Sequence, residues 1–573
     1  MHRIIVISDF NASNLAALLA RSDAIEAHCA PFGQVMQCLL GTAPAAVPAD
    51  ADIAVVWTTP EGVSPAYRRR LLGEGASLEE SAADARRLGE ALADLPSHIR
   101  HILVPTWSAT HPLFARRNLL DFDPEYGPAA ALLRMNATLA ESARADRRIY
   151  LLDSSRWHGL CAAIAYDPRL WYASKTPFSL DLFKLAAADL SAAIRGMDGG
   201  AKKLLVLDLD GTLWGGVVGD DGWEALRVGG HDPVGEAYRD FQSAVRALTR
   251  RGVVLGIVSK NHEAVALNAL RSHPEMVLRT EDFAGWRINW QDKARNIVDL
   301  AQELNLGLDA VVFIDDNPVE RDRIRQALPE VLVPQWPSNP AYYCAALAAL
   351  DCFDGPVVSA EDRARTAMYV ADRERKRLRQ DALGLEDWLQ SLQLTLEVER
   401  LGESNLPRAA QLLNKTNQLN LSTRRLSAAE FMAWSGQDDH VALVFKVTDK
   451  FGDYGLVGIG TLALEPDHKS AQIVDFVLSC RAMGRKVENA IIAVLASSAR
   501  AAGANRLVAQ YIPTPKNAPC LEVLEGLTVN SRPEEYLFVW NLEQEPPWPD
   551  CVKLVWKDQL AEAVRGKVAS VSA

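Results

Sequence analysis

The chain has 573 residues, of which 49% are hydrophobic and 23% are charged, so it is long enough for about three packed domains. Its net charge of −12 argues against nucleic acid as a general partner, and no apolar run approaches the roughly 18 residues of a membrane span. No secretory signal is visible and the eight cysteines show neither metal-binding nor disulfide spacing, so we expect a cytoplasmic protein.

Residues 1 to 197 are predicted to form a first domain. Apolar strands at Ile4 to Ile7, Ile53 to Trp57, Ile102 to Val104 and Ile149 to Leu152 alternate with helical stretches at Leu78 to Leu95 and Ala129 to Ala145. This pattern predicts an α/β sandwich, and it resembles the SGNH-hydrolase-like fold. Such hydrolases need Gly-Asp-Ser after the first strand, whereas this strand ends in Ser8-Asp9-Phe10, and Asp153 and His158 have the wrong spacing for the late Asp-x-x-His. We therefore expect a degenerate domain that binds or positions something.

A second domain is predicted from residue 198 to 355, and it begins with an apolar strand that runs into three polar side chains. These are Asp208, Asp210 and Thr212. Side chains alternate along a strand, so Asp208 and Asp210 are expected on one face. Two carboxylates this close repel each other unless a cation lies between them, which predicts a hard divalent metal.

More polar residues follow at the ends of later apolar strands. One strand ends at Ser259, whose hydroxyl suits a phosphate oxygen, and another ends in Asp315 and Asp316, which suit a metal. Lys293 lies near the start of an amphipathic segment and suits phosphate charge. Because the strands alternate with helical patterns, we predict a parallel sheet with helices on both faces and its chemistry at the carboxyl ends of the strands.

These segments resemble, in order, the four motifs of the haloacid dehalogenase (HAD) superfamily. The resemblance implies that Asp208 is a nucleophile that forms an aspartyl-phosphate and that Asp210 is the general acid and base. The implied catalytic set is Asp208, Asp210, Thr212, Ser259 and Lys293, and the implied Mg²⁺ ligands are Asp208, Asp210, Asp315 and Asp316.

A finer resemblance is to the FkbH-like branch of HAD subfamily IIIC. It is carried by residues 208–222, 258–262, 282–293 and 313–321, and downstream by 413–425 and 448–457. FkbH-like enzymes take the glyceryl unit of 1,3-bisphosphoglycerate, remove phosphate and load the acyl group onto the phosphopantetheine thiol of an acyl carrier protein, in secondary-metabolite or polysaccharide biosynthesis. The resemblance therefore implies a small-molecule phosphate substrate and an acyl carrier protein as partner.

Two features near the motifs bear on that chemistry. Little chain separates Thr212 from the next helix, and no domain-sized insert lies between Ser259 and Lys293, so we expect an open site that admits a tethered substrate. Some FkbH-like enzymes hold the acyl group on a cysteine of the phosphatase domain, but residues 198 to 335 contain none. Direct transfer to the carrier thiol and simple phosphate hydrolysis both stay open, with Cys480 and Cys520 as alternative thiols.

Residues 356 to 388 are predicted to be a charged helical connector, because the segment is rich in Arg and Glu and poor in Gly and Pro. Its basic side chains offer a contact for an acidic carrier protein, the alternative being a solvated helix face. The residues concerned are Arg373, Arg375, Lys376, Arg377 and Arg379.

In residues 389 to 545, a strand at Ala471 to Leu478 leads to a short polar loop and then a long helix. The loop contains Arg481, Gly484, Arg485 and Lys486, and N–H groups at a helix start suit a pyrophosphate. The segment resembles a GNAT-like acyltransferase domain, which implies that these four residues hold coenzyme A or phosphopantetheine; Lys486 replaces a small residue of the family pattern. Asn417, Asn420 and Arg425 are expected either to line this site or to serve as capping and surface residues. Residues 546 to 573 are read as a tail with a helical pattern.

The predicted fold class is thus α/β, with a central HAD-like Rossmannoid parallel sheet, an N-terminal SGNH-like sandwich and a C-terminal GNAT-like α+β domain. The leading interpretation is a Mg²⁺-dependent phosphatase and acyltransferase that loads a glyceryl group onto a carrier. The second is a HAD-IIIC phosphatase that acts on a free small-molecule phosphate and uses the flanking domains as binding modules. A scaffold without activity is the third.

Overall fold

The computed structural model of the chain describes residues 1–557 except 43–46, 110–117, 162–164, 357–359, 382–383, 417–418, 466–468, 515–516, 528–529, 533–535 and 545–546. It divides the chain into two compact units. The first unit comprises Met1–Lys202 with Ala348–Val357, and the second comprises Lys203–Leu347 with Val358–Ala573. Among the residues described, no helix has the length and apolar character that crossing a membrane requires.

The first unit is built on a parallel sheet with helices on its faces. The strands are β1 His2–Ser8, β2 Ile25–Cys29, β3 Ile53–Trp57, β4 His101–Pro105 and β5 Ile149–Leu152, in the order β2-β1-β3-β4-β5. The helices are α1 Ser13–Leu19, α2 Val35–Leu39, α3 Pro60–Val63, α4 Pro65–Leu72, α5 Leu78–Ala93, α6 Pro128–Ala143, α7 Ser154–Cys161, α8 Pro168–Ser174 and α9 Leu180–Met197. The sequence pattern missed β2, an edge strand whose residues after Ile25 are only partly buried or exposed.

The second unit begins with a smaller parallel sheet, which we call the central region. Its strands are β6 Leu204–Leu207, β7 Val254–Ser259, β8 Phe283–Ile288 and β9 Val311–Ile314, in the order β8-β7-β6-β9. The helices are α10 Val218–Asp221, α11 Pro233–Thr249, α12 Glu263–Ser272, α13 Lys293–Glu303, α14 Pro318–Ala327 and α15 Tyr343–Ala348. The α/β class and the parallel central sheet predicted from the sequence are confirmed.

The rest of the second unit begins with two helices, α16 Ala360–Asp381 and α17 Leu385–Leu392, and then folds around a mixed sheet. Its strands are β10 Leu394–Arg400, β11 Leu419–Asn420, β12 His440–Asp449, β13 Gly452–Leu464, β14 Ser470–Leu478, β15 Arg506–Gln510, β16 Asn530–Arg532, β17 Leu537–Asn541 and β18 Val552–Trp556. They run in the order β16-β17-β15-β14-β13-β12-β10-β18, and β11 pairs with β14. Further helices are α18 Leu406–Lys415, α19 Ala428–Ser435, α20 Val487–Ala501 and α21 Ala518–Leu527.

Two sequence expectations about this region need correction. The stretch after Pro546 was expected to be helical, but β18 lies parallel to β10 in the sheet. The connector was expected to end at residue 388, inside α17, yet Trp388 is buried in the core of the mixed sheet together with Leu389 and Leu392 of the same helix. The first error arises because a short apolar run is compatible with either a strand or a helix until its packing partner is known, and the second because a boundary inside a helix is not visible in its local pattern.

Helix α16 joins the two parts of the second unit. Tyr369 packs against the hydrophobic core of the central region, and Leu378 packs against the core of the mixed sheet. Along the helix, Arg365 donates a hydrogen bond to the carbonyl of Gly252 at 2.8 Å, before β7 begins. The helix is therefore packed on both sides and is not a solvated spacer.

Candidate active site

Three carboxylates meet at the carboxyl edge of the central sheet. Asp208 follows β6, and Asp315 and Asp316 follow β9, which pairs directly with β6. One carboxylate oxygen from each lies within 4.8 Å of the others. Because these strands are parallel neighbours, residues that are about 107 positions apart in the chain are brought together at one edge of the sheet.

Lys293 lies between two of these carboxylates. Its Nζ is 3.1 Å from Asp208 Oδ2 and 2.6 Å from Asp315 Oδ2, and its side chain is almost fully buried. The lysine is the first residue of α13, and Asp292 caps that helix by accepting a hydrogen bond from the backbone N–H of Ala294. The predicted nucleophile, lysine and metal-binding aspartates are thus adjacent.

The charge in this group is unbalanced. Burial, together with the charge of Asp208, raises the pKa of Asp315 to about 6 and also raises the pKa of Asp316. Burial lowers the pKa of Lys293, but Asp208 and Asp315 raise it by more, so the lysine stays protonated. One ammonium group faces three carboxylates, and Asp208 Oδ1 is buried without a hydrogen-bond partner among the residues that the structure describes. An oxygen-rich, anionic site with an unsatisfied oxygen fits a hard divalent cation such as Mg²⁺.

The Asp210 carboxylate does not join this group, although the sequence predicted it as a metal ligand. It accepts hydrogen bonds from Trp214 Nε1 at 2.7 Å, the Val218 N–H at 3.1 Å and Asn261 Nδ2 at 2.8 Å. Burial raises the pKa of Asp210. These contacts suit a general acid and base that exchanges a proton. Trp214 and Asn261, which provide two of them, were not among the site residues predicted from the sequence.

Thr212 positions a carboxylate in this structure. Its hydroxyl donates to Asp316 Oδ1 and accepts from the backbone N–H of Asp316, both at 3.1 Å. The preceding Gly211 has a φ of +73°, and a Cβ there would lie 2.5 Å from Asp316 Oδ2. The turn after Asp210 therefore requires glycine both for its backbone conformation and for the close approach of Asp316.

Ser259, the remaining predicted residue, and Arg321 also lie at this edge of the sheet. Ser259 is the last residue of β7 and is buried, while Lys260 next to it forms an ion pair with Glu320 at 2.6 Å. Arg321 was not predicted; its Nη1 donates to the backbone carbonyls of Asp315 and Asp316, both at 2.7 Å. This arginine holds the loop that carries two of the three carboxylates.

We expect Mg²⁺ to stabilise the second unit, because a divalent cation relieves the repulsion among Asp208, Asp315 and Asp316. At a concentration 100 times the Kd, binding adds about 2.7 kcal/mol. Calorimetry with MgCl₂, with KCl of equal ionic strength and with EDTA measures the effect. The Asp315→Asn variant should lose most of the Mg²⁺-dependent shift, and an equal shift in KCl would contradict a specific site.

In the first unit, the sequence resemblance to SGNH-type hydrolases places a nucleophilic serine directly after Asp9. This chain has Phe10 there, and its ring is buried. Phe10 packs edge-on against Trp57 and Phe178, with ring centroids 5.5 and 5.3 Å apart. The ring of His158 also lies against Phe178, at 5.4 Å. These side chains pack a core and present no hydroxyl nucleophile beside the histidine.

The carboxyl group of Asp9, which adjoins Phe10, should make the stability of the first unit depend on pH. Burial raises its pKa to about 6, although Thr59 donates hydrogen bonds to it from its hydroxyl and its N–H. A raised folded-state pKa means that its contribution to stability is complete below the ordinary value of 3.8 and is lost as the pH rises through about 6. We expect Asp9→Asn to stabilise the first unit by about 2 kcal/mol near pH 8 and to be almost neutral near pH 4. Calorimetry measures this, with the exposed Asp23→Asn as control; a difference that is independent of pH would contradict it.

The loop before α20 is occupied by contacts within the chain. Arg485 Nη2 donates to Asp372 Oδ1 of α16 at 3.0 Å, and Arg481 Nη1 lies 2.8 Å from Met368 Sδ of the same helix. The Gly484 N–H donates to Glu488 Oε1 at 3.1 Å. Two of the four residues predicted to hold a cofactor phosphate thus contact α16. Lys486 has a φ of +59° and directly precedes α20.

Other predicted contacts in this part of the chain are structural. Asn420 is fully buried, and its Nδ2 donates to the carbonyl of Thr416 at 3.0 Å. Arg425 donates to the carbonyl of Leu413 at 2.7 Å. Asn417 and the Cys480 side chain lie outside the described part of the chain, and Cys520 is a buried thiol whose pKa is raised by burial. The sheet thus uses Asn420 and Arg425 to satisfy backbone carbonyls.

Two residues of the predicted basic patch on α16, Arg373 and Arg375, make contacts within the chain. Arg375 is buried and forms a bidentate pair with Asp449, with nitrogen-to-oxygen distances of 2.6 and 2.9 Å. Arg373 donates to the carbonyl of Phe283 and lies over the Trp286 ring at 4.3 Å. The side chains of Lys376 and Arg377 lie outside the described residues, and Arg379 is exposed.

Comparison with known proteins adds an independent observation. The chain is similar to the solved N-terminal part of the protein BF1531 from Bacteroides fragilis, which contains a phosphatase domain complexed with Mg: 26% identity, a TM-score of 0.57, and coverage of 62% of this chain and 94% of that one. It also aligns with the ribosomal-protein-S18-alanine N-acetyltransferase of Escherichia coli, at 11% identity and a TM-score of 0.19 over 27% of this chain and 97% of that one. An N-acetyltransferase from Staphylococcus aureus Mu50 aligns at 14% identity and a TM-score of 0.20 over 26% and 98%. No protein-family model and no curated protein matches.

Proposed function

We propose that this protein is a Mg²⁺-dependent phosphatase of the HAD type that also loads a glyceryl group onto an acyl carrier protein. The observation that carries the phosphatase is the group of three carboxylates, two buried and one partly buried, with Lys293 at the carboxyl edge of a parallel sheet. The similarity to a protein whose phosphatase domain binds Mg supports it. Acyl transfer rests on the sequence resemblance to FkbH-like enzymes.

Asp208, Asp210 and Lys293 have different roles in the proposed phosphatase reaction. An Asp208 oxygen attacks phosphorus, the bond from phosphorus to the ester oxygen breaks, and Asp210 gives that oxygen a proton. Asp210 then takes a proton from water, whose oxygen attacks the aspartyl-phosphate and releases phosphate and Asp208. Lys293 balances phosphate charge. Mg²⁺, when bound by Asp208, Asp315 and Asp316, supplies further charge neutralisation.

Access to the site suits a tethered acceptor. Between β6 and α11 the chain forms the short α10 and a 3-10 turn at Trp223–Ala225. Between β7 and α13 it forms α12, a 3-10 turn at Thr280–Asp282 and β8, and every residue from 203 to 347 is described. No folded insertion in that region covers the carboxylates. In the proposed transfer, the carrier thiol attacks the acyl carbon of 1,3-bisphosphoglycerate and expels one phosphate, and the Asp208 chemistry removes the other.

A second candidate function is hydrolysis of a free small-molecule phosphate. It is favoured by the loop before α20, where Arg481 and Arg485 contact α16 and are not directed to a cofactor. In that case the mixed sheet serves as a binding module. Under the first proposal, Lys486 holds the phosphate of the pantetheine arm, so Lys486→Ala should weaken carrier loading and leave phosphate release unchanged.

Intact-protein mass spectrometry of carrier proteins distinguishes the two functions. A panel of holo carrier proteins is incubated with the enzyme, Mg²⁺ and a 1,3-bisphosphoglycerate-generating system. A mass increase of one glyceryl group, absent with Asp208→Asn, supports loading. Phosphate release without any increase supports the second function, and no phosphate release from any phosphate ester tested contradicts both.

A further inference from the structure

Four exposed apolar side chains lie in the segments that follow the strands of the central sheet, at the edge that carries the carboxylates. Val217, Val265, Trp290 and Val319 are exposed by 47, 40, 67 and 72%. They lie in the segments after β6, β7, β8 and β9 respectively, one for each strand of the central sheet. Within residues 203 to 347, which are all described, Tyr342 is the one other large hydrophobic side chain with such exposure. We call these four side chains the apolar collar.

Two members of the collar are held close to Asp210. Val217 directly precedes Val218, whose N–H donates to Asp210 Oδ1 at 3.1 Å. The Val265 N–H donates to the carbonyl of His262 at 3.1 Å, and His262 adjoins Asn261, which donates to Asp210 Oδ2 at 2.8 Å. Val217 thus adjoins a residue that donates to the proposed general acid, and Val265 is connected to that acid through His262 and Asn261.

The other two members are held beside the metal-binding residues and the lysine. The Val319 N–H donates to Asn317 Oδ1 at 3.0 Å, and the Asn317 N–H donates to Asp315 Oδ1 at 2.8 Å. Trp290 follows Asn289, whose N–H donates to the carbonyl of Ser259 at 3.1 Å, and it lies three positions before Lys293. The Trp290 ring stands edge-on to that of His262, with centroids 5.7 Å apart.

Two cations at this edge are each paired with a carboxylate. Lys260 contacts Glu320 at 2.6 Å, and Arg323 contacts Asp292 at 2.7 Å. Scattered apolar side chains on a surface need no explanation, but one after each strand at the edge that carries a polar site indicates contact with a ligand. Because Lys260 and Arg323 are already paired with carboxylates, the ligand portion that crosses the collar is expected to be neutral and rich in methylene groups.

We propose that the apolar collar binds the neutral, thiol-bearing chain of a pantetheine-type acyl acceptor and that Trp290 is its main anchor. This inference rests on the proposed acyl transfer at the same site. A large rigid aromatic side chain buries much area at small entropic cost, which makes Trp290 the dominant contact. The carboxylates below the collar act on phosphate, while the collar selects the acceptor.

The test compares acceptor use with phosphate release. Pantetheine, supplied with a 1,3-bisphosphoglycerate-generating system as the acyl donor, is the acceptor probe, and 3-phosphoglycerate is the phosphate probe. Trp290→Ala should raise the KM for pantetheine about tenfold and change phosphate release less than about twofold, because the lost contact belongs to the acceptor. Trp290→Phe should restore most of the affinity, and Tyr172→Ala, an exposed aromatic residue of the first unit, should have no effect.

A direct measurement of pantetheine binding tests the collar independently of phosphate release, and so independently of the proposed phosphatase activity. Saturation-transfer NMR reports contact of pantetheine with the unmodified enzyme, and the signal should fall in Trp290→Ala. Phosphate release without a pantetheine signal overturns the collar and leaves the phosphatase standing, whereas no phosphate release from any ester contradicts the proposed function itself. Equal losses with both probes, or a loss seen with coenzyme A and not with pantetheine, also overturn the inference, since they indicate a general wall or stacking of adenine.

Discussion

Replacing Asp208 with asparagine should lower phosphate release by at least about 10³-fold, because the amide cannot attack phosphorus. The substitution keeps the shape of the side chain and removes one of three mutually repelling carboxylates. We therefore expect the second unit to keep or slightly raise its thermal unfolding midpoint. Phosphate release from a small ester in Mg²⁺, followed together with calorimetry, measures both effects.

The control for this prediction is Asp299→Asn on α13. The Asp299 carboxylate is 42% exposed, and within the described part of the chain its only close cation is Arg295, at 3.9 Å. Its rate should match that of the unmodified enzyme. Chemical trapping adds a second readout, because the aspartyl-phosphate should be found on Asp208 and absent from the variant. A variant with undiminished phosphate release would show that Asp208 is not the nucleophile.

Replacing Arg375 with leucine should destabilise the second unit by about 3–5 kcal/mol, because Asp449 would be left charged and buried without its partner. The Asp449 carboxylate is fully buried and also accepts the Tyr454 hydroxyl at 2.7 Å and the Phe451 N–H at 2.9 Å. The Arg375 guanidinium in turn lies 4.2 Å from the centre of the Tyr454 ring. The ion pair thus connects α16 to the turn from β12 to β13.

Calorimetry should show a fall of roughly 10 °C in the unfolding midpoint of Arg375→Leu. Arg375→Lys keeps the charge but loses the bidentate geometry, so its loss should be smaller. Arg295→Leu removes a guanidinium that is 76% exposed, and we expect a change within about 1 kcal/mol. If Arg375→Leu and Arg295→Leu behaved alike, α16 would not be fixed by this ion pair.

Local sequence was sufficient to locate β6, β7 and β9, three of the four strands of the central sheet, and the residues that follow them. An apolar run followed by Asp208, and another followed by Asp315, require only that buried strands end where polar residues begin. In a parallel sheet the carboxyl ends of neighbouring strands share one edge, so the approach of these carboxylates was predictable. The edge strand β8 was missed because Trp286 and Arg287 are only partly buried and interrupt its apolar pattern.

Tertiary structure alone decided which partner each polar side chain takes. The sequence could not show that Asp210 turns to Trp214 and Asn261, or that Thr212 binds Asp316 across 104 positions. It suggested that the arginines of α16 face solvent, whereas Arg375 pairs with Asp449, 74 positions away. The physical reason is that strand and helix patterns follow from local hydrophobicity, while burial of a charge depends on a partner that only the folded chain brings within hydrogen-bonding distance.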